Sequence, residues 1–258
     1  MDGPGAPIAR RSKGVKLGGI MDKIAPISVQ RTFWNEWNAS YREHDIQDVC
    51  VRQAEVVVGW LNALDQGGID ILEVGCGSGW FCPQLASFGR VTGTDLSNEV
   101  LARARQRWPQ IAFIAGDFMK LDFGGTFDVI VTLEVLSHMP DQKAFVDKLS
   151  THLRPGGYLM LATQNRFVLE RFNHIPPPAP GQLRRWVDKR ELHSLLEPRF
   201  EITEIFSVSP KADRGIMRLI NSRTFNRPIR ALVGDRVERL KEAMGLGWTL
   251  MALARKRC

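Results

Sequence analysis

Apolar positions along this chain follow three successive rhythms. From Thr32 to Glu43 the aromatic residues Phe33, Trp34, Trp37 and Tyr41 recur about one helical turn apart, which predicts a helix with most of its aromatics on one side. From Val49 to Leu64 apolar residues again repeat at helical spacing and stop before Gly67-Gly68, predicting a second helix. Short β-rich runs then alternate with helical stretches. Strands are predicted at Ile69–Val74, Arg90–Thr94, Ile111–Ala115, Phe127–Leu133 and Tyr158–Thr163. Between them lie a helix closing at Leu85–Phe88, one at Asn98–Arg107 before Pro109, and one at Asp141–Leu153 before Pro155-Gly156-Gly157. This alternation predicts a parallel sheet with helices on both faces. After Thr163 the rhythm breaks. Residues 164–186 contain Ile175-Pro176-Pro177-Pro178-Ala179-Pro180-Gly181, too rich in proline for regular structure, and a long connection in a compact domain is usually functional or disordered. A helix at Asp188–Leu196, a strand at Phe200–Val208, a basic helical segment over 212–244 and a last strand at Trp248–Ala254 complete the pattern.

Composition narrows the picture. The 258 residues are 44% hydrophobic and 24% charged, which excludes a mostly disordered chain. No apolar run approaches the roughly 18 residues a membrane-spanning helix needs, and no secretory signal follows the early charges, so a cytoplasmic protein is expected. Cys50, Cys76, Cys82 and Cys258 form neither a CxxC pair nor a metal-spaced cluster, so no disulfide scaffold and no metal site are expected. The net charge of +7 is uneven: residues 1–23 carry +3, residues 211–258 carry +8 and the middle carries −4. The expected organisation is a disordered basic arm (1–28), N-terminal cap helices (29–66) and a main α/β domain (67–258) with a helical insertion at 211–244.

The stretch Ile71-Leu72-Glu73-Val74-Gly75-Cys76-Gly77-Ser78-Gly79-Trp80 carries the chemistry. A strand running through glycines into a helix lets backbone N–H groups approach a ligand at the carboxyl edge of a sheet. Trp80 occupies the place of the third small residue of a dinucleotide fingerprint, where a pyrophosphate presses on the helix start, and so argues against NAD or FAD. Asp95 ends the second strand, where a carboxylate can accept both hydroxyls of a ribose. Gly116-Asp117-Phe118 follows the third, where Asp117 can accept an adenine amino hydrogen and Phe118 can pack on the base. Each aspartate alone reads as a turn or helix cap. Three consecutive strand ends bearing a glycine turn, Asp and Asp are not explained by capping.

On these motifs the chain resembles class I S-adenosylmethionine-dependent methyltransferases, most closely the small-molecule branch that includes the ubiquinone-biosynthesis O-methyltransferases. Gly93-Thr94-Asp95-Leu96-Ser97, Phe127-Asp128-Val129-Ile130, Leu133-Glu134-Val135-Leu136-Ser137-His138 and Leu153-Arg154-Pro155-Gly156-Gly157 extend the likeness across residues 69–163 in the family's order. The resemblance implies a Rossmann-like seven-stranded sheet in the order 3-2-1-4-5-7-6 with the last strand antiparallel. It implies S-adenosyl-L-methionine as cofactor and S-adenosyl-L-homocysteine as product. The cofactor would lie among Glu73, Gly75, Cys76, Gly77, Asp95, Leu96, Asp117, Phe118 and Leu133, with Trp34 and Tyr41 closing over it.

The motifs fix the reaction but not the acceptor. Methyl transfer needs a nucleophile held, aligned and desolvated, and a general base only when that nucleophile arrives protonated. His138, beyond the fourth strand, is the candidate base or orienting residue; its bland alternative is helix entry before Pro140. Glu134, Gln164, Asn165, Arg166 and Trp186 are candidate substrate contacts, and Arg214 and Arg218 are candidates for a basic lid over an acidic group. The expected substrate is a small metabolite, acidic or aromatic, methylated at O, N or C. A peptide carboxylate or RNA is the alternative, RNA being disfavoured by the net acidic core, and a non-enzymatic cofactor-binding scaffold is the least supported.

Overall fold

The computed structural model describes residues 25–42, 47–64, 67–214 and 236–257. Seven strands form one sheet in the order β3-β2-β1-β4-β5-β7-β6. They are β1 (Ile69–Val74), β2 (Gly89–Asp95), β3 (Ala112–Ala115), β4 (Phe127–Leu133), β5 (Leu153–Gln164), β6 (Phe200–Pro210) and β7 (Gly247–Lys256). Strands β3-β2-β1-β4-β5 pair in parallel, and β7 runs antiparallel to both of its neighbours, as expected.

The middles of the central strands, Ile71-Leu72 of β1 and Val129-Ile130-Val131 of β4, are apolar on both faces because helices cover both. Alternate residues then feed two cores. Ile71, Val129, Val131 and Met160 pack with Val57 and Leu61 of α2 (Asp48–Leu64) and with Leu101 of α4 (Asn98–Arg107). Leu72, Ile130, Leu159 and Leu161 face the other way, onto Phe145 and Leu149 of α5 (Gln142–Thr151) and Leu192 and Leu196 of α7 (Lys189–Leu196). Burying each such side chain contributes about 1.5–3 kcal/mol.

Register sets the site. Val74 pairs with Thr94 and Thr132, and Asp95 pairs with Ala115, so β1, β2, β3 and β4 end level with one another. The segments after them, at Gly75, Leu96, Gly116 and Glu134, therefore gather along one rim. Strand order reverses between β1 and β4, and open parallel sheets bind ligands at such a reversal, outside the carboxyl ends.

Several boundaries differ from the sequence expectation. Helix α1 is Ile27–Trp37, not Thr32–Glu43: Pro26 stands at its N-cap position, and the chain widens after Trp37 into a π-helical turn, Asn38–Arg42. The helix expected to close at Leu85–Phe88 is one turn, α3 (Cys82–Leu85). Strand β5 begins at Leu153 because Arg154 bridges Asp70 and Asp128 beside β4, and a register shift absorbs the following residues. The segment expected to be irregular holds a short helix, α6 (Arg166–Phe172). Of the insertion before β7, α8 (Arg236–Ala243) is described; it lies on β6, where Ser207 Oγ donates to the Glu242 carbonyl at 2.9 Å. Residues 1–24 and 215–235 lie outside the described residues. Among the described residues no helix is long and apolar enough to cross a membrane.

Candidate active site

The glycine turn is shaped by backbone demands. Gly75 has φ +78°, a left-handed conformation that L side chains rarely adopt, and an added Cβ would collide with Val135 Cγ2. Its amide donates to the Thr94 carbonyl at 2.7 Å, tying the turn to β2. The Gly77 amide donates to Asp95 Oδ2 at 2.9 Å, and the Ser97 amide donates to Asp95 Oδ1 at 2.8 Å. Each carboxylate oxygen thus keeps acceptor capacity for a ligand hydroxyl. Burial pushes the Asp95 carboxyl above its usual range, and the amides of Ser97, Gly77 and Leu96 pull it back. Asp117 Oδ1 accepts from the Met119 amide at 3.0 Å, which fixes the turn after β3. Beneath the glycine turn Glu73 is buried and accepts from Cys82 Sγ at 2.9 Å. Burial pushes the Cys76 thiol up to about 11; its hydrogen bond to Cys76 and burial push Cys82 up as well, so both stay protonated.

The rim opens into one cavity of about 820 Å³. Glu73, Gly75, Cys76, Gly77, Asp95 and Leu96 line it, as do Asp117, Phe118, Leu133 and Glu134. Trp34, His138, Gln164 and Trp186 line the same space, so α1 and the proline-rich connection share a chamber with the rim. The left-handed glycine turn, the two strand-end aspartates and a chamber within the usual range for small-ligand sites fit a nucleoside-bearing cofactor.

His138 sits where the chamber meets the turn after β4. Its Nδ1 lies 2.7 Å from the Leu183 carbonyl, which can only accept, so Nδ1 carries the proton and Nε2 is the acceptor of the neutral ring. Trp34 packs edge-on against it with ring centroids 4.7 Å apart. Burial and the nearby charge of Arg184 lower His138 to about 4, the Leu183 bond opposing them. The connection is pinned here at several points: the Arg185 amide donates to the Ser137 carbonyl at 2.7 Å, and Gln142 Nε2 donates to the Arg185 carbonyl at 2.7 Å. It also abuts α1. Gly181 has φ +85°, and a Cβ there would meet the Val29 carbonyl at 2.9 Å and Phe33 Cβ at 3.2 Å.

Glu134 has φ +65°, unusual for a residue with a side chain. Its Oε1 accepts from Gln53 Nε2 at 2.5 Å and from Thr249 Oγ1 at 2.9 Å, joining α2, the end of β4 and β7 at the chamber wall. Three expected contacts do not line the cavity. Asn165 is buried and donates to the carbonyls of Gly245 and Gly247 at 3.1 and 2.9 Å. Arg166 turns with the start of α6 toward Asp188 and Glu191, both at 2.7 Å. Arg214 donates to His174 Nδ1 at 2.6 Å. Arg218 and the side chain of Tyr41 lie outside the described residues.

Several lining residues carry no motif in the sequence, among them Gln53, Lys211 and Trp248. Gln53 had a readable signal, because it falls on the apolar stripe of α2 between Val49 and Val57 and is 1% exposed. Lys211 stands in a stretch without periodicity.

Comparison with known proteins agrees with this geometry. A family model described as a methyltransferase domain matches residues 39–199. A probable S-adenosylmethionine-dependent methyltransferase from Mycolicibacterium smegmatis is 33% identical over 144 residues, 55% of this chain and 55% of its own. A ubiquinone biosynthesis O-methyltransferase from Bradyrhizobium diazoefficiens is 31% identical over 187 residues, 66% of this chain and 73% of its own. The chain thus spans about half to three quarters of the length of these relatives. The N-methyltransferase NodS from Bradyrhizobium japonicum WM9, solved in complex with S-adenosyl-L-homocysteine, is similar in fold, with a TM-score of 0.60 and 19% identity over 88% of this chain and 98% of that one.

Proposed function

The chain belongs to the methyltransferase-domain family, and from that premise we propose that it is an S-adenosyl-L-methionine-dependent methyltransferase of small-molecule type whose acceptor is an aromatic metabolite methylated at an oxygen or nitrogen that arrives protonated. One observation carries the reading: the rim formed by Gly75, Asp95 and Asp117 opens into the same chamber as Trp34, Trp186 and His138.

When bound, the cofactor supplies an electrophilic methyl carbon on a sulfonium sulfur. The chain's own residues bind, orient and exclude water. Gly77 and Ser97 hold the Asp95 carboxylate in place by their amides, so its remaining acceptor positions are pre-set for the ribose hydroxyls. Asp117 and Phe118 stand at the base end of the chamber. Indole surfaces at Trp34 and Trp186 offer flat apolar area to an aromatic acceptor and keep water from the nucleophile.

His138 receives the proton side of the acceptor at Nε2. With its pKa near 4, full transfer from a phenol of pKa about 10 before reaction costs about 8 kcal/mol. His138 therefore orients the O–H or N–H by accepting its hydrogen bond, and the proton moves as the acceptor atom loses electron density to the new bond.

The test is to incubate the enzyme with methyl-labelled cofactor and a fractionated cell extract. Label is expected in small aromatic compounds. Label confined to RNA or peptide fractions overturns the reading.

A further inference from the structure

The chamber is electrically divided. Among the described residues its carboxylates are Glu73, Asp95, Asp117 and Glu134, all at or just beyond strand ends on the cofactor rim. Among the same residues its full-time cations are Arg184, from the proline-rich connection, and Lys211, from the segment after β6. The sulfonium and amino group of the cofactor suit the first set; the second suits a carboxylate, either the cofactor's own amino-acid carboxylate or one on the acceptor, and the affinity of the variants for S-adenosyl-L-homocysteine tells the two apart.

Arg184 differs from the acid-paired arginines, and from Arg105, Arg185, Arg255 and Arg257, whose side chains also bond carbonyls, it differs in lining the chamber. Arg52 pairs with Glu242, Arg154 with Asp70 and Asp128, and Arg166 with Asp188 and Glu191. The partners of Arg184 are neutral: the Pro176 carbonyl at 2.6 Å, Gln182 Oε1 at 2.7 Å and the face of Trp186 at 6.0 Å. A guanidinium carries five N–H donors, so further donors remain. Burial lowers its pKa from the usual arginine value, and no acid among the described residues offsets that cost. The Lys211 ammonium, exposed at the cavity wall, has no acidic partner among the described residues. Asn173 Nδ2 donates to the Lys211 carbonyl at 3.2 Å and holds its backbone there.

We propose that the acceptor is an aromatic acid and that Arg184 and Lys211 form the site for its carboxylate. The inference rests on the methyltransferase reading and adds to it the charge of the acceptor. Arg184 lies in a run that also provides Trp186, so one segment presents a cation and a flat ring surface together, the pair of features a ring bearing a carboxylate requires. The arrangement also bears on His138, whose basicity the Arg184 charge depresses: a carboxylate on that guanidinium offsets the effect beside the group that must accept the proton.

The experiment uses the full chain saturated with S-adenosyl-L-homocysteine and titrates 3,4-dihydroxybenzoate and its uncharged analogue 3,4-dihydroxybenzamide by calorimetry. The acid is expected to bind at least about tenfold tighter than the amide, and rising salt is expected to weaken the acid alone. In Arg184→Gln and in Lys211→Met the gap is expected to shrink to about threefold or less with homocysteine-product affinity unchanged. Lys211→Met changes an exposed side chain and keeps the test open if Arg184→Gln does not fold. Equal binding of acid and amide, or an acid preference untouched by either substitution, overturns the proposal while leaving the methyltransferase assignment standing. Failure of wild-type protein to bind S-adenosyl-L-homocysteine brings down both.

Discussion

Replacing Asp95 by alanine tests the cofactor rim most directly. The carboxylate holds two backbone amides, those of Gly77 and Ser97 at 2.9 and 2.8 Å, and borders the chamber. Two effects separate. In the ligand-free protein the amides lose their acceptor, but they stand beside a water-accessible chamber, so the loss is nearer the net value of about 0.5–1.5 kcal/mol per bond than the full cost of an orphaned buried donor. In the complex the lost groups are charged acceptors of ribose hydroxyls, worth about 1.5–3 kcal/mol. Affinity for S-adenosyl-L-homocysteine should therefore fall by roughly one to two orders of magnitude, while thermal stability falls by a few degrees. Asp95→Asn should lie between, since its amide nitrogen must oppose one of the two N–H groups. Calorimetry for affinity and thermal unfolding for stability read the two effects apart. Affinity within twofold of wild type in Asp95→Ala would refute the assignment of Asp95 to the cofactor.

Two further outcomes follow from the same geometry. Gly75→Ala places a Cβ against Val135 at a left-handed backbone position, so a loss of about 1–3 kcal/mol of stability and weaker homocysteine-product binding are expected by the same two assays; wild-type unfolding would contradict the turn geometry. His138 is held near 4, so its imidazole stays neutral in the fold through the window where an exposed histidine protonates. The unfolded chain binds more protons than the native one between about 6.5 and 4, so this group's contribution is intact above that window and fades as pH falls through it. The pH profile of kcat/KM, which reports the free enzyme, should accordingly show no limb near 6.5 and fall only toward 4; a midpoint near 6.5 would show that His138 is not withdrawn from water, or not required.

The parts of this site legible in the sequence are those whose meaning is local. Gly75, Asp95 and Asp117 each end a strand, and strand periodicity alone places the ends of β1, β2 and β3 on one edge. The order of the sheet followed from the resemblance, not from periodicity. What escaped reading depends on partners far along the chain. Gln164, Asn165 and Arg166 are consecutive, yet only Gln164 reaches the chamber: Asn165 answers to carbonyls 80 and 82 residues away, and Arg166 to acids 22 and 25 residues away. Lys211 sits in irregular chain, where no repeat says which way a side chain faces. Helix α1 starts at Ile27 and not at Thr32 because Pro26 stands at its N-cap position, and the aromatic stripe marks only the second half of the helix.

The contact of Gly181 with Val29 and Phe33 has a kinetic meaning. The helix bearing Trp34 and the segment bearing Arg184 lie against each other at that point, so the two walls of the chamber are expected to move together, and a residue larger than glycine at position 181 is expected to push them apart.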